Sequence, residues 1–334
     1  RPPPGLSTGH AAGYHAAMKA LRTAVVGVGH LGRFHAQKYA ACSDLQGVFD
    51  QDPERAAAVA AELGCIAFPS LEALLAQVDA ISIATPTSTH CQVATAALNA
   101  GVHCLVEKPF TLDLAEAEYL EELAARVGKV LAVGHIERAH PAIRTLRERG
   151  FGAPRYLEAE RLAPFKPRSL DIDVIMDLMI HDLDLTLWLS GEALQDIRAV
   201  GVAAVTDKAD MANAWVTLDS GAVANLAASR VVREPVRRMR IFWEDRYASV
   251  DFMARQLRLV ERGGGSVPGI PGVAEQVLEL PAEDALEFEV RNFLGAVLGR
   301  EMALCSAREG RLALAAALGV RAAVETFLQG EEAG

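Results

Sequence analysis

The run Asp173-Val-Ile-Met-Asp177-Leu-Met-Ile-His181-Asp182-Leu-Asp184 carries the residue types that move protons. On a helix Asp173, Asp177, His181 and Asp184 fall at i, i+4, i+8 and i+11, one acid and imidazole stripe among Val, Ile, Met and Leu. Imidazole titrates near neutrality, and a carboxylate beside it can orient the ring or a bound molecule. A solvated polar face on an amphipathic helix would show the same stripe, and Asp173, Asp177 and His181 with this spacing could also hold a divalent metal. The choice depends on what else the chain places with them.

Leu21 to Val26 reads as a buried strand running into Gly27-Val-Gly29-His30-Leu31-Gly32, a G-x-G-x-x-G that opens a helix over Arg33 to Cys42. A second strand, Gly47 to Phe49, ends at Asp50, about 20 residues on, as in a dinucleotide-binding turn. Gly27 permits the tight turn, Gly29 lets a pyrophosphate approach the helix N-terminus, and Gly32 allows close helix packing. Asp50 would accept from the ribose hydroxyls and repel a 2′-phosphate, and Gln51 supplies no positive charge, so NAD is favoured over NADP.

The alternation continues through a helix at Arg55 to Leu63, a short strand near Ile66, a helix from Leu71 and a strand Ala80 to Ala84. That strand ends in Thr85-Pro86-Thr87-Ser88-Thr89-His90, and a helix follows to Asn99. Val102 to Val106 is a further strand and ends in Glu107-Lys108-Pro109. Thr111 reads as the cap of a helix to Val127, and Val130 to Val133 as a sixth strand. Strands spaced by helices mean a doubly wound parallel sheet that binds ligands at the carboxyl ends of its strands, where Lys108 sits. A lysine there is a solvated surface group, or it holds a substrate hydroxyl and stabilises charge on the oxygen.

The glycine turn, Asp50, Ala84-Thr85-Pro86 with His90, Glu107-Lys108-Pro109, Arg138 to Pro141, and Asp177 with His181 together resemble the glucose-fructose oxidoreductase / inositol dehydrogenase / MocA family. The resemblance covers Leu21 to about Leu189. It implies an N-terminal Rossmann domain followed by a C-terminal α/β domain with a large, mostly antiparallel open sheet used for oligomer contacts. It implies Lys108, Asp177 and His181 as catalytic residues: His181 as general base, Lys108 polarising the substrate oxygen, Asp177 orienting substrate or imidazole. Cofactor contacts are expected from Gly27, Gly29, His30, Leu31, Gly32, Asp50, Ala84, Thr85, Pro86, His90, Glu107, Lys108 and Pro109, and substrate contacts from Arg138, Arg168, Asp173 and Asp184. No metal is expected. Lys108-Pro109 is the place for a cis peptide. Two departures stand out: Leu170 to Val174 where the family often has glycines, and Trp243-Glu244-Asp245-Arg246 in place of a glycine turn.

Lys166 to Asp184 looks most like family members that oxidise the 3-hydroxyl of UDP-N-acetylglucosamine; inositols, polyols or free sugars are the runner-up substrates. Arg161, Lys166, Arg168, Arg230, Arg233, Arg237, Arg238 and Arg240 are either salt-bridged surface or the grip on a phosphorylated substrate. A sensor that binds NAD without turnover is the different class, and the Lys, Asp and His trio argues against it.

The remaining expectations follow from composition and pattern. About half of the 334 residues are apolar, which suits two domains: 18–138 for the dinucleotide and 139–334 for substrate and oligomerisation. A net charge of −10 disfavours nucleic acid and anionic membrane as partners and favours a small molecule. No apolar run of spanning length is read, no charged-then-apolar leader opens the chain, and Cys42, Cys65, Cys91, Cys104 and Cys305 show no metal spacing; a cytoplasmic protein with reduced thiols is expected. Residues 1–17 lack any apolar period and end just before Met18, so a disordered extension is expected. Gly263-Gly-Gly265-Ser266 reads as a flexible turn. Five or more successive strands after Gly191 need cover on one face, which predicts a homodimer or homotetramer.

Overall fold

The computed structural model describes residues 8–166, 172–267 and 270–332. The chain forms two compact units: Arg1–Ile136 with Asp284–Arg311, and Glu137–Glu283 with Leu312–Gly334. A single cut after residue 138 was expected; the return of Asp284–Arg311 to the first unit corrects it.

In the first unit α1 (Thr8–Lys19) precedes β1 (Arg22–Val26), α2 (His30–Cys42), β2 (Asp44–Phe49), α3 (Pro53–Leu63), β3 (Ile66–Ala67), α4 (Leu71–Leu75), β4 (Ala80–Ile83), α5 (His90–Asn99), β5 (His103–Glu107), α6 (Leu114–Val127) and β6 (Leu131–Gly134). The expected disordered extension is thus helical from Thr8, with Met18 buried in the core. The strands pair in parallel in the order β3-β2-β1-β4-β5-β6, the doubly wound arrangement. β4 is buried at every position, as a strand covered on both faces must be. Asp113, not Thr111, caps α6: its side chain accepts from the Glu116 amide, while the Thr111 hydroxyl donates to the Asp113 carbonyl. Burial pushes the Cys42 thiol up to about 11, so it stays protonated, and the five cysteines are free.

The second unit holds α7 (Pro141–Arg149), β7 (Tyr156–Leu162), a π-helical turn Ile175–Met179 running into α8 (Ile180–Ser190), then β8 (Leu194–Val202), β9 (Met211–Leu218), β10 (Val223–Ser229), β11 (Val236–Phe242), β12 (Arg246–Asp251), β13 (Gln256–Val267) and β14 (Ile270–Glu279). These strands make one sheet in the order β14-β13-β12-β11-β7-β10-β9-β8, antiparallel except where β10 pairs with β7. Gly263 to Ser266 lies within β13, at a register shift, and is not a separate turn. Along β7, β9 and β10 buried and half-exposed residues alternate, so one face of the sheet carries the core. Trp215, Tyr156, Phe242 and Tyr247 form a row of ring contacts across the other face.

α9 (Ala285–Val297) puts Leu286, Val290, Phe293 and Leu294 into the first unit's core. α10 (Ala307–Glu332) buries Ala313, Leu314, Ala317, Val320 and Val324, one helical stripe. Its segment Ala307–Gln329 has the length and mean hydropathy of a membrane span, which the sequence reading did not credit. The stripe fits a core helix: β8 is so close that a Cβ on Gly201 would meet Val324 at 2.5 Å.

Candidate active site

β1 delivers three fully buried residues, Ala24, Val25 and Val26, into Gly27, whose φ of 82° suits only glycine. A Cβ on Gly27 would lie 2.7 Å from the Thr85 amide, and one on Gly32 would lie 1.8 Å from the Gly27 carbonyl. Gly29 differs: a Cβ there would meet nothing within 4 Å. Gly29 is also the N-cap of α2, with no side chain to cover the first amides of the helix. This is the shape and polarity that a pyrophosphate needs, and the residues present fit a dinucleotide. His30 and Leu31 are exposed in the same first turn of the helix.

Asp50 follows β2. Its Oδ2 accepts the Val28 amide at 2.8 Å and its Oδ1 the Asp52 amide at 2.9 Å, which aims the carboxylate at the glycine turn. Arg55 Nη1 lies 3.2 Å from Oδ1. Gln51 alone had suggested no positive charge at this edge; the guanidinium comes from one turn into α3 instead.

Ala84, Thr85 and Pro86 follow β4, as expected. His90, expected at the cofactor, lies between backbone carbonyls. It is 1% exposed, with Nε2 2.9 Å from the Thr85 carbonyl and Nδ1 3.0 Å from the Pro109 carbonyl. Burial lowers its pKa, and the carbonyls of Thr85, Pro109 and Phe110 oppose that shift. His90 therefore ties the end of β4 to the turn after β5. In that turn Lys108-Pro109 is the expected cis peptide, and Lys108 is half-buried. Glu107, also expected to contact cofactor, turns inward: it is 7% exposed and its Oε1 lies 2.8 Å from His35 Nε2. His35 went unnoticed in the sequence, although an imidazole and a phenol one turn apart, His35 and Tyr39, flank Ala36 on the apolar face of α2.

In the second unit the expected stripe breaks up. Asp173 Oδ1, expected at the substrate, accepts the Ile175 and Met176 amides, both at 2.9 Å, and so caps the helix. The π-helical turn Ile175–Met179 then adds a residue to the turn and shifts the faces that an ideal α-helix would give. Asp177 is partly exposed and His181 is 8% exposed. Asp184 and Arg138, both assigned to substrate, hold each other at 2.7 and 2.9 Å, and each is 1% exposed. Arg138 also stacks over Trp188 at 5.0 Å.

Asp182, which was not singled out, pairs with Arg161 at 2.8 Å, and Arg161 reaches Glu137 at 2.6 Å. Burial alone would raise Glu137, but the Arg161 guanidinium holds it below the usual carboxylate range. Arg230 is bound to Asp210 and to the Ile172 carbonyl. Arg161 and Arg230 are thereby structural, Arg240 pairs with Glu158, and Arg168, with Leu170 and Asp171, lies outside the described residues.

Two family models match in succession. Residues 21–135 match the oxidoreductase family with an NAD-binding Rossmann fold, and residues 142–248 match the GFO/IDH/MocA C-terminal domain. The chain belongs to the GFO/IDH/MocA oxidoreductase family. Its cofactor is accordingly NAD, and residues 21–135 are the domain that binds it.

Within the GFO/IDH/MocA family the chain is 68% identical over 309 residues to UDP-N-acetylglucosamine 3-dehydrogenase of Acidithiobacillus ferrooxidans, covering 92% of this chain and 99% of that one. A solved structure of that enzyme superposes with a TM-score of 0.91, covering 93% of this chain and 99% of the other. A scyllo-inositol 2-dehydrogenase (NAD(+)) of Bacillus subtilis is 30% identical over 230 residues, 63% of this chain and 67% of that protein. The scyllo-inositol dehydrogenase of Lactobacillus casei, solved with NAD(H) and scyllo-inositol, shares the fold at 20% identity, with a TM-score of 0.76 over 92% of this chain and 98% of the other.

Proposed function

We propose that this NAD-dependent oxidoreductase oxidises the 3-hydroxyl of UDP-N-acetylglucosamine. The observation that carries the proposal is the 68% identity over 99% of the Acidithiobacillus ferrooxidans enzyme that bears this activity in its name. Within the first unit, the glycine turn, Asp50 and residues Ala84 to Pro86 hold the cofactor; the second unit receives the substrate. Bound NAD supplies a hydride acceptor at its nicotinamide. His181 takes the hydroxyl proton, so that the carbon left without its hydride becomes a carbonyl. Lys108 hydrogen-bonds the same oxygen and stabilises negative charge on it as the proton leaves. Asp177, one turn before His181, orients the imidazole or the sugar. The outward row of Trp215, Tyr156, Phe242 and Tyr247 supports a homodimer or homotetramer built on the second unit's sheet.

The test is a panel of UDP-N-acetylglucosamine, UDP-glucose, free sugars and inositols with NAD and NADP, followed by absorbance of the reduced cofactor. The highest kcat/KM is expected for UDP-N-acetylglucosamine with NAD. A preference for inositol, the substrate class that the Bacillus subtilis relative is named for, would replace the proposed substrate. No turnover with any of them would favour the sensor. Light scattering giving a monomer at micromolar concentration would contradict the oligomer.

A further inference from the structure

Beneath Lys108, entirely on elements of the first unit, runs a chain of buried polar side chains that hydride transfer does not require. α2, the helix that starts at the glycine turn, carries His35 and Tyr39, both 0% exposed. The Tyr39 hydroxyl lies 2.8 Å from Ser82 Oγ on β4, and Ser82 Oγ lies 3.0 Å from His35 Nδ1. His35 Nε2 lies 2.8 Å from Glu107 Oε1, and Glu107 Oε2 accepts the Lys108 amide at 3.3 Å.

A neutral His35 ring satisfies the whole chain in one arrangement of its hydrogens. A carboxylate only accepts, so Nε2 carries the ring proton that faces Glu107. Nδ1 then accepts from Ser82, and Ser82 accepts from Tyr39, whose hydroxyl burial pushes far above its ordinary pKa. Every polar hydrogen in the chain finds an acceptor, as a buried network must if it is not to cost more than an apolar core. Gly134, the register partner of Glu107 on β6, makes room for the carboxylate: a Cβ there would lie 2.9 Å from Glu107 Oε1.

We infer that His35 and Glu107 are a positioning pair that fixes Lys108 relative to the helix behind the dinucleotide turn. A pair serving only the core could be exchanged for apolar side chains with little loss. This one starts on the helix that faces the pyrophosphate and ends on the amide of the residue assigned to the substrate oxygen. The inference rests on Lys108 acting on that oxygen, as proposed above.

Two variants test it. Gly134→Ala displaces the Glu107 carboxylate while leaving every charged residue in place, and Glu107→Gln keeps the shape and removes the charge. For both, kcat is expected to fall roughly tenfold to a hundredfold, with KM and the Kd for NAD within about threefold of the parent. In Gly134→Ala the backbone amide resonance of Lys108 is expected to shift in the NMR spectrum before any ligand is added. Folded variants with parental kcat, or a Kd for NAD that weakens in step with kcat, would overturn the pair. Should Glu107→Gln fail to fold, Gly134→Ala decides alone. Lys108→Met separates the two levels: if that variant still turns over, the proposed mechanism fails, whereas if it is dead and Gly134→Ala is unimpaired, only the positioning pair fails.

Discussion

The two units hold their polar groups in place by different means. In the first, glycines and short neutral or singly charged links do it: Gly27 and Gly32 let backbone approach backbone, Asp50 takes two amides, and His90 and His35 bridge strand ends. In the second, buried arginines are matched by carboxylates: Arg138 with Asp184 and Arg161 with Asp182 of α8 and the partly exposed Glu137, and Arg230 with Asp210. The first device is close fit between backbone, glycine and short polar links; the second is charge compensation, which tolerates a change of neither partner alone.

That contrast can be broken most sharply at Arg138. Arg138→Ala leaves the Asp184 carboxylate buried without its guanidinium and is expected to cost about 3–5 kcal/mol in urea unfolding. The double change Arg138→Leu with Asp184→Leu should recover most of the loss. A single variant as stable as the parent would show that the pairs around α8 are not what holds it.

His103 gives the first unit a smaller, pH-dependent counterpart. Its Nδ1 accepts the Val130 amide at 2.9 Å, and burial, with Lys129 adding to it, lowers its pKa from 6.5 to about 4. The ring is neutral in the fold, but in the unfolded chain it takes up a proton once the pH drops below 6.5. Its contribution is therefore complete above 6.5 and is lost as the pH falls toward 4. His103→Asn, whose carbonyl can still accept from Val130, should flatten the decline of Tm across that range in calorimetry. An unchanged decline would assign it to other groups.

The smallest effect expected is at the cap of α6. Asp113→Ala should lower stability by about 1 kcal/mol in urea unfolding, and no loss would argue against a capping role.

The same contrast governs what could be read from sequence. Gly27 to Gly32, Asp50 and the strand-end residues Ala84 to Pro86 obey rules that act over a few residues, and the parallel sheet follows from the strand and helix alternation. The antiparallel sheet was expected from the family resemblance and the run of strands after Gly191, although the length of β13 and β14 was not, because Gly263 to Gly265 suggested a break that a bulge absorbs. Around α8 the rules failed. Asp173, Asp182 and Asp184 look alike in sequence, and only partners 21 and 46 residues away, or an amide two residues on, separate a cap from a buried ion pair. The π-helical turn had no glycine or proline to announce it. His35 and Glu107 lie 72 positions apart, and no rule that acts over a few residues links them.

The central claim is that the chain performs Lys- and His-assisted hydride transfer on a sugar nucleotide. Lys108→Met, assayed with UDP-N-acetylglucosamine and NAD beside calorimetric titration of NAD, tests it most directly. NAD should bind with about the parental Kd while turnover falls by roughly 10²-fold or more, the scale of a lost proton-transfer or charge-stabilising group. Unchanged turnover with intact NAD binding would contradict it.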